Sequence, residues 1–242
     1  MTGTTPFDGR ALARAGLEEM RRLILETDPP RPSTRLLPQA TSATDRIYDI
    51  RLAALLVWCG RTEEHAAMTA RLLASTADTA KAGEANCVAK LACLRPLPDA
   101  AARQAALELA RRAVQLGQQD SLLPWYHLSL GMAEYRQGNF PAADAALLAA
   151  GAGAEKSSRK QRPFMQGAAK FFRVMSFLQQ QQRTQAEQIF NDTVATMKPA
   201  PDTACLLVGG ANQDDLVLWL AWKEAAAALE AARPYRRADA SK

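Results

Sequence analysis

The sequence has few of the residues that bind metals or form disulfides. It contains two histidines and four cysteines. The cysteines, Cys59, Cys87, Cys93 and Cys205, are too scattered for a zinc knuckle, and two histidines cannot complete a structural metal site. We therefore expect no metal and no cofactor, with the cysteines present as reduced, buried thiols.

Long apolar runs are also missing. No stretch approaches the roughly 18 uninterrupted apolar residues of a membrane helix, and residues 1–16 lack the apolar centre of an export signal. These absences predict a cytoplasmic protein without a membrane-spanning segment.

Residues with a β-branched side chain are sparse, which argues against a sheet. Alanine and leucine are abundant, and the hydrophobic content is 48% over 242 residues. Glycine and proline lie mostly between apolar-periodic segments, where they end helices. The composition therefore predicts an all-α fold with a substantial core.

The net charge of +5 is spread over helices on which arginines alternate with acidic residues. Only one segment concentrates positive charge, with Lys156, Arg159, Lys160 and Arg162 close together. It contains no aromatic residue on which a base could stack. A nucleic-acid-binding regulator that uses residues 156–162 is the alternative function, and it predicts a sharp loss of binding at raised salt.

Catalytic patterns are weak. Cys59 and His65 flank the Gly60 turn, but no third group orients them and no oxyanion hole accompanies them. Gly209 and Gly210 are followed by no lysine, so they do not form a phosphate-binding loop. Acidic pairs at helix starts are explained by the helix dipole. We expect a protein that is not an enzyme.

The most specific pattern lies in residues 124–150, which predict a helix, a tight turn and a second helix. Gly138 lacks a Cβ and can reverse the chain, after which Asn139 can cap the next helix and Pro141 fits its first turn. Small and apolar residues recur at helical spacing on both segments. These residues are Leu130, Gly131, Ala143, Leu147 and Ala150.

This segment resembles a tetratricopeptide repeat (TPR). The leucine–glycine pair, the turn glycine, and the helix B alanines and leucine of that repeat match Leu130, Gly131, Gly138, Ala143, Leu147 and Ala150. Two positions differ. His127 stands where an aromatic residue is usual, and Glu134, with Tyr135 beside it, replaces the tyrosine before the turn. We expect Trp125 or Tyr135 to supply the aromatic side chain that packs between neighbouring helices. The resemblance implies a right-handed superhelical solenoid of antiparallel helix pairs.

Four such pairs are predicted between residues 45 and 198, followed by a last helix that begins at Asn212. The predicted organisation has three parts. Residues 1–44 form an amphipathic helix and a proline-rich linker, residues 45–233 form the repeat domain with a C-terminal capping helix, and residues 234–242 form a disordered tail.

Further segments also look familiar: GRTEEH, VAKLACLRPLPD, ALELARRAVQL, RTQAEQIF and DDLVLWLAWKEAAAAL. Their order resembles the repeat region that follows the catalytic domain of bacterial Hanks-type serine/threonine kinases. The resemblance spans about residues 45–231, and the sequence has no glycine-rich loop, HRD or DFG motif. It therefore implies a scaffold, with a link to bacterial kinase signalling, and no kinase activity.

Helical repeats bind partners in a concave groove. The resemblance places an apolar, aromatic surface with one cation at its edge on the first helix of the central repeat. Its residues are Trp125, Leu128, Met132, Tyr135 and Arg136. We expect a non-catalytic scaffold that binds a protein or peptide ligand at this surface. The part of the ligand that binds is expected to be an internal or helical apolar segment. The alternative is that one of the chain's own terminal helices covers this face.

Overall fold

The computed structural model describes residues 43–155, 161–200 and 212–232. The regular secondary structure of these ranges is entirely α-helical, as the composition predicts. The helices are α1 (Ala43–Trp58), α2 (Thr62–Thr76), α3 (Ala82–Ala92), α4 (Ala100–Leu116), α5 (Leu123–Arg136), α6 (Phe140–Ala154), α7 (Arg162–Gln179), α8 (Arg183–Val194) and α9 (Gln213–Ala231). The predicted N-terminal amphipathic helix and linker, up to residue 42, and the predicted tail lie outside the described residues. None of the described helices combines the length and the apolar character that crossing a bilayer requires.

Glycine and polar caps set several helix ends where the sequence predicts them. Gly60 and Gly138 have φ values of +71° and +82°, so the chain reverses through the left-handed region after α1 and after α5. The Asp99 carboxylate accepts hydrogen bonds from the amides of Ala101 and Ala102 and caps α4.

Two predicted caps are wrong. The Asn139 side chain does not cap α6, because its amide donates instead to Oε2 of Glu134 at 2.7 Å. The spacing of Thr184 and Glu187 predicts a capping box at the start of the eighth helix, and this box is also missing. Helix α8 begins at Arg183, two residues earlier than a Thr184 cap predicts, so Thr184 lies inside the first turn. Glu187 accepts a hydrogen bond from the Arg183 side chain.

Helix α6 continues through a glycine-rich stretch in which the sequence predicts a flexible connection. It runs past Ala150 to Ala154, whose side chain is fully buried. Gly153 lies against Pro124 at the start of α5, where an added Cβ would come within 2.7 Å of the proline Cγ. This glycine therefore permits a close helix contact, and the stretch stays helical.

The helices pack in a regular order. Each helix contacts the next one in the chain, and the odd-numbered helices also contact one another in sequence from α1 to α9. In the central pair, a Cβ on Gly131 would come within 2.5 Å of Leu147 Cγ and 3.2 Å of the Ala143 carbonyl oxygen. The small residue that the repeat pattern requires at position 131 thus lies at the closest approach of α5 and α6.

Helix α9 has more neighbours than a helix at the end of a stack needs. It contacts α7 and α8, as expected for a C-terminal capping helix, and it also contacts α1. Every residue from Leu216 to Ala221 is buried. This helix is therefore packed against both the first helix and the two helices that precede it.

Candidate helix-binding face

The predicted groove residues lie on a face that is buried in this structure. Leu128 and Met132 are fully buried, and Trp125 is 8% exposed. Tyr135 is half-buried, and the side chain of Arg136, expected at the groove edge, is only 6% exposed. Helix α5 packs against α3, α4, α6 and α7, so this face is buried inside the chain.

An ion pair joins this face to α9. The two terminal nitrogens of Arg136 donate to the two carboxylate oxygens of Glu224, at 2.5 and 2.7 Å. Nε of Arg136 donates to the carbonyl oxygen of Cys93, at the end of α3, at 3.0 Å. Burial opposes the arginine charge, but the hydrogen bond to Glu224 and its negative charge outweigh that effect and raise the pKa of Arg136.

Aromatic rings surround the same guanidinium. Its central carbon lies 5.3 Å from the ring centre of Phe172 on α7 and 5.4 Å from that of Tyr135. The two rings meet edge to face, with their centres 5.7 Å apart. Arg136 therefore links α3, α5, α7 and α9 through hydrogen bonds and cation–π contacts.

A second buried cation lies on α3. Lys90 is 5% exposed, and its Nζ lies 4.5 Å from the ring centre of Trp125. Burial lowers the pKa of Lys90, and the charge of Asp214 on α9 opposes that shift. Burial raises the pKa of Asp214, and Lys90 opposes that shift in turn. Each group therefore favours the charged form of the other.

The start of α9 is fixed by its own cap and by Lys198. The Asn212 side chain accepts from the amides of Asp214 and Asp215, and the Asp215 carboxylate accepts from the Asn212 amide, which completes the capping box. Nζ of Lys198 donates to Asp215 at 2.8 Å, and the Lys198 carbonyl oxygen accepts from the indole of Trp219 at 3.0 Å.

Apolar and aromatic contacts hold the middle of α9 between α1 and α7. The rings of Trp58 and Trp219 have centres 6.3 Å apart, and Nζ of Lys223 lies 3.4 Å from the ring centre of Trp58. On the α7 side, a Cβ on Gly167 would come within 2.5 Å of Leu218 Cδ1. One helix thus touches α1 and α7, and its Glu224 pairs with the buried Arg136 of α5.

Other candidate residues do not assemble into a catalytic site. Cys59 is exposed, whereas His65 is fully buried and its Nε2 donates to the Leu91 carbonyl oxygen at 3.0 Å. The imidazole is thus held by a hydrogen bond to the last turn of α3. Burial lowers the pKa of His65 and also that of His127. Among the described residues, no three His, Cys, Asp or Glu side chains group closely enough to hold a metal ion.

Most of the basic segment, residues 156–160, lies outside the described residues. Arg162, its last cation, begins α7 and forms an ion pair with Glu155 at 3.0 Å. The same side chain donates to the Glu155 carbonyl oxygen at 2.6 Å. This arginine therefore joins the start of α7 to the residue that follows α6.

Sequence reasoning missed Lys90 and Glu224. Both residues are charged and lie in segments whose other residues are mostly apolar, VAKLACL and LWLAWKEAAAAL. A charge within such a segment is a signal that it needs a buried partner. The pattern could flag both residues, but it could not pair them with Asp214 and Arg136.

Comparison of the chain with protein-family models, with curated proteins and with solved structures found no match. The candidate site therefore has to be interpreted from its own geometry.

Proposed function

We propose that this chain is a non-catalytic interaction scaffold whose odd-numbered helices bind a partner helix, in a right-handed, TPR-like solenoid of helix pairs. The proposal keeps the binding face that the repeat resemblance implies. It changes the description of that face, because in this structure the face is buried and Arg136 at its edge pairs with Glu224 of α9.

The packing order supports the solenoid. Stacked helix pairs bring every second helix into contact, which is the pattern of α1, α3, α5, α7 and α9. The close approach of Gly131 to Leu147 and Ala143 lies where the repeat pattern requires small residues.

One observation carries the functional part of the proposal: a single helix, α9, contacts three of the four preceding odd-numbered helices, α1, α5 and α7. It packs on α1 and α7, its Glu224 pairs with Arg136 on α5, and its Asp214 acts on Lys90 on α3. These helices together have the shape and charge to hold one helix. A surface of this kind is used in proteins for helix-in-groove recognition.

A display screen tests the proposal. The full chain is screened against a library of helical peptides, and amide hydrogen exchange is measured with each peptide that binds. A peptide that takes the place of α9 should accelerate exchange in residues 213–231 and leave α2 and α4 unchanged, because a helix released from packing loses its protection. Peptides that bind without changing exchange in α9 would place the binding surface elsewhere and refute the proposal.

A further inference from the structure

The connection between α3 and α4 differs from the turns of the other helix pairs. In the pairs α1–α2, α5–α6 and α7–α8, three residues join the two helices, and the middle one has a positive φ. These middle residues are Gly60, Gly138 and Gln181. The α3–α4 loop instead runs over seven residues, 93–99. An insertion in one repeat of a repeat protein lengthens a loop on one face, and such loops often carry a binding site.

The α3–α4 loop is held in place by two arginines from neighbouring helices. Nη1 of Arg103 on α4 donates to the carbonyl oxygens of Leu97 and Pro98, at 2.7 and 3.0 Å. Nε of Arg136 on α5 donates to the carbonyl oxygen of Cys93, at 3.0 Å. The side chain of Leu97 is also buried. The loop is therefore fixed near both of its ends.

A pocket lies between this loop, α4 and the end of α5. It encloses about 180 Å³ of empty space, part of which is open to solvent. Three arginines line it, Arg95, Arg103 and Arg136, and apolar or thiol side chains supply the rest of its described lining, without a carboxylate. Positive charge is therefore concentrated on one side of the loop.

Within the described part of the chain, only one of these three charges has an acidic partner, since Arg136 pairs with Glu224. Arg103 donates to backbone carbonyls. Arg95 is half-buried and forms no hydrogen bond, ion pair or ring contact with any described residue. The nearby carboxylate of Asp99 accepts from two amides of α4 instead. Two guanidinium charges at this pocket thus lack a counter-ion, and partial burial makes that unfavourable.

We propose that Arg95 and Arg103 bind a phosphate group at the mouth of this pocket. A guanidinium donates two parallel N–H bonds to phosphate oxygens. A phosphate ester carries a charge of about −1.5 to −2 at pH 7, which matches the two guanidinium charges without a partner. Because the pocket is open on one side, the group can be free phosphate or an ester carried by a ligand. This site does not depend on the helix-binding function, so either proposal can fail alone.

Calorimetric titration of the full chain with inorganic phosphate tests the site, with chloride used to keep the ionic strength constant. We expect saturable binding to the wild type and at least about tenfold weaker binding to Arg95→Gln. The matched control is Arg71→Gln, which removes the same charge from an exposed position on α2 without a contact to any described residue. This control should bind phosphate as the wild type does.

Arg103→Gln is the second variant, and it should also weaken phosphate binding at least about tenfold. Circular dichroism checks that the loss of the hydrogen bonds to Leu97 and Pro98 leaves this variant folded. If it does not fold, Arg95→Gln decides alone, because Arg95 has no contact with any described residue to lose.

Two further anions identify the group. Acetate carries a single charge and should bind at least about tenfold more weakly than phosphate. Methyl phosphate distinguishes the source, since tighter binding than that of inorganic phosphate indicates an ester and weaker binding indicates the free anion. Three results would each overturn the proposal: no saturable binding of phosphate to the wild type, equal binding to Arg95→Gln, or acetate binding as tight as that of phosphate.

Discussion

Arg136 on α5 and Glu224 on α9 form a two-pronged ion pair across 88 positions of sequence, with both N–O distances at or below 2.7 Å. The guanidinium is nearly inaccessible, whereas the carboxylate side chain is 29% exposed. This pair joins the central repeat-like unit to the last helix. Its loss should therefore affect both stability and the position of α9.

Removing the carboxylate should destabilise the fold. We expect Glu224→Ala to lower the free energy of unfolding by about 2–3 kcal/mol, because a buried guanidinium loses its charged acceptor. In a double-mutant cycle with Arg136→Met, the coupling energy should be about 1–3 kcal/mol. Urea unfolding followed by circular dichroism measures all four proteins.

The exposed pair of Arg183 and Glu187 on α8 is the control for that cycle, with side chains 31% and 46% exposed. Glu187→Ala should change stability by no more than about 0.5 kcal/mol, because solvent screens such pairs. Equal losses for Glu187→Ala and Glu224→Ala would show that burial of Arg136 has no energetic consequence.

Two glycines in the central pair should respond in opposite ways to alanine. Gly131→Ala places a Cβ within 2.5 Å of Leu147 Cγ, so we expect a loss of about 1–3 kcal/mol. Gly151 lies within α6, and an added Cβ meets nothing within 4 Å. Gly151→Ala should therefore stabilise the protein by about 0.5–1 kcal/mol, since alanine favours the helix. Thermal and urea unfolding measure the stability of both variants. Destabilisation by both substitutions would contradict the open space that the structure shows around Gly151.

Much of the helix order could be predicted, because periodicity and chain reversals are local properties. Gly60 and Gly138 end helices where their conformational freedom predicts it, and the last helix begins next to Asn212 as expected. The end of α6 could not be predicted in this way. Gly153 reads locally as a helix breaker, yet its contact with Pro124 is a tertiary contact that only the folded chain contains.

The candidate face likewise could be predicted from local sequence only in part. Its residues could be placed on one side of α5 from helical spacing, but their exposure could not. Arg136 was expected at the edge of an open groove, and it is buried because its carboxylate partner comes from α9. A cation that looks solvent-exposed in the sequence can be buried when its partner lies far along the chain.

Capping gives a third test, because the capping box predicted at Thr184 and Glu187 is absent and the structure has one at Asn212 and Asp215 instead. Asn212→Ala should cost about 1 kcal/mol, since two amides at the start of α9 lose their acceptor. Thr184→Ala should stay within about 0.5 kcal/mol, because α8 has no side-chain cap to lose. Urea unfolding of the two variants measures the difference. A larger cost for Thr184→Ala would show that α8 begins later than Arg183.

The two histidines predict how stability depends on pH. Burial lowers the pKa of His65 and of His127 from the usual value of 6.5. Between the lowered values and about 6.5, the unfolded chain binds more protons than the folded chain, so stability rises with pH in that window. Their contribution is therefore present above pH 6.5 and is lost as the pH falls towards the lowered values.

Urea unfolding at about pH 7.5 and about pH 5.5 tests this sign. The wild type should lose stability at the lower pH, and His65→Gln with His127→Gln should lose less, because the sequence contains no other histidine. Glutamine at position 65 keeps a side-chain donor for the Leu91 carbonyl oxygen but does not titrate. Carboxylates such as Asp214 remain in both proteins, so their titration cancels in the comparison. Equal losses in the two proteins would contradict this prediction. They would mean that the imidazoles bind protons as readily in the folded chain as in the unfolded chain, although His65 is buried in contact with Leu91.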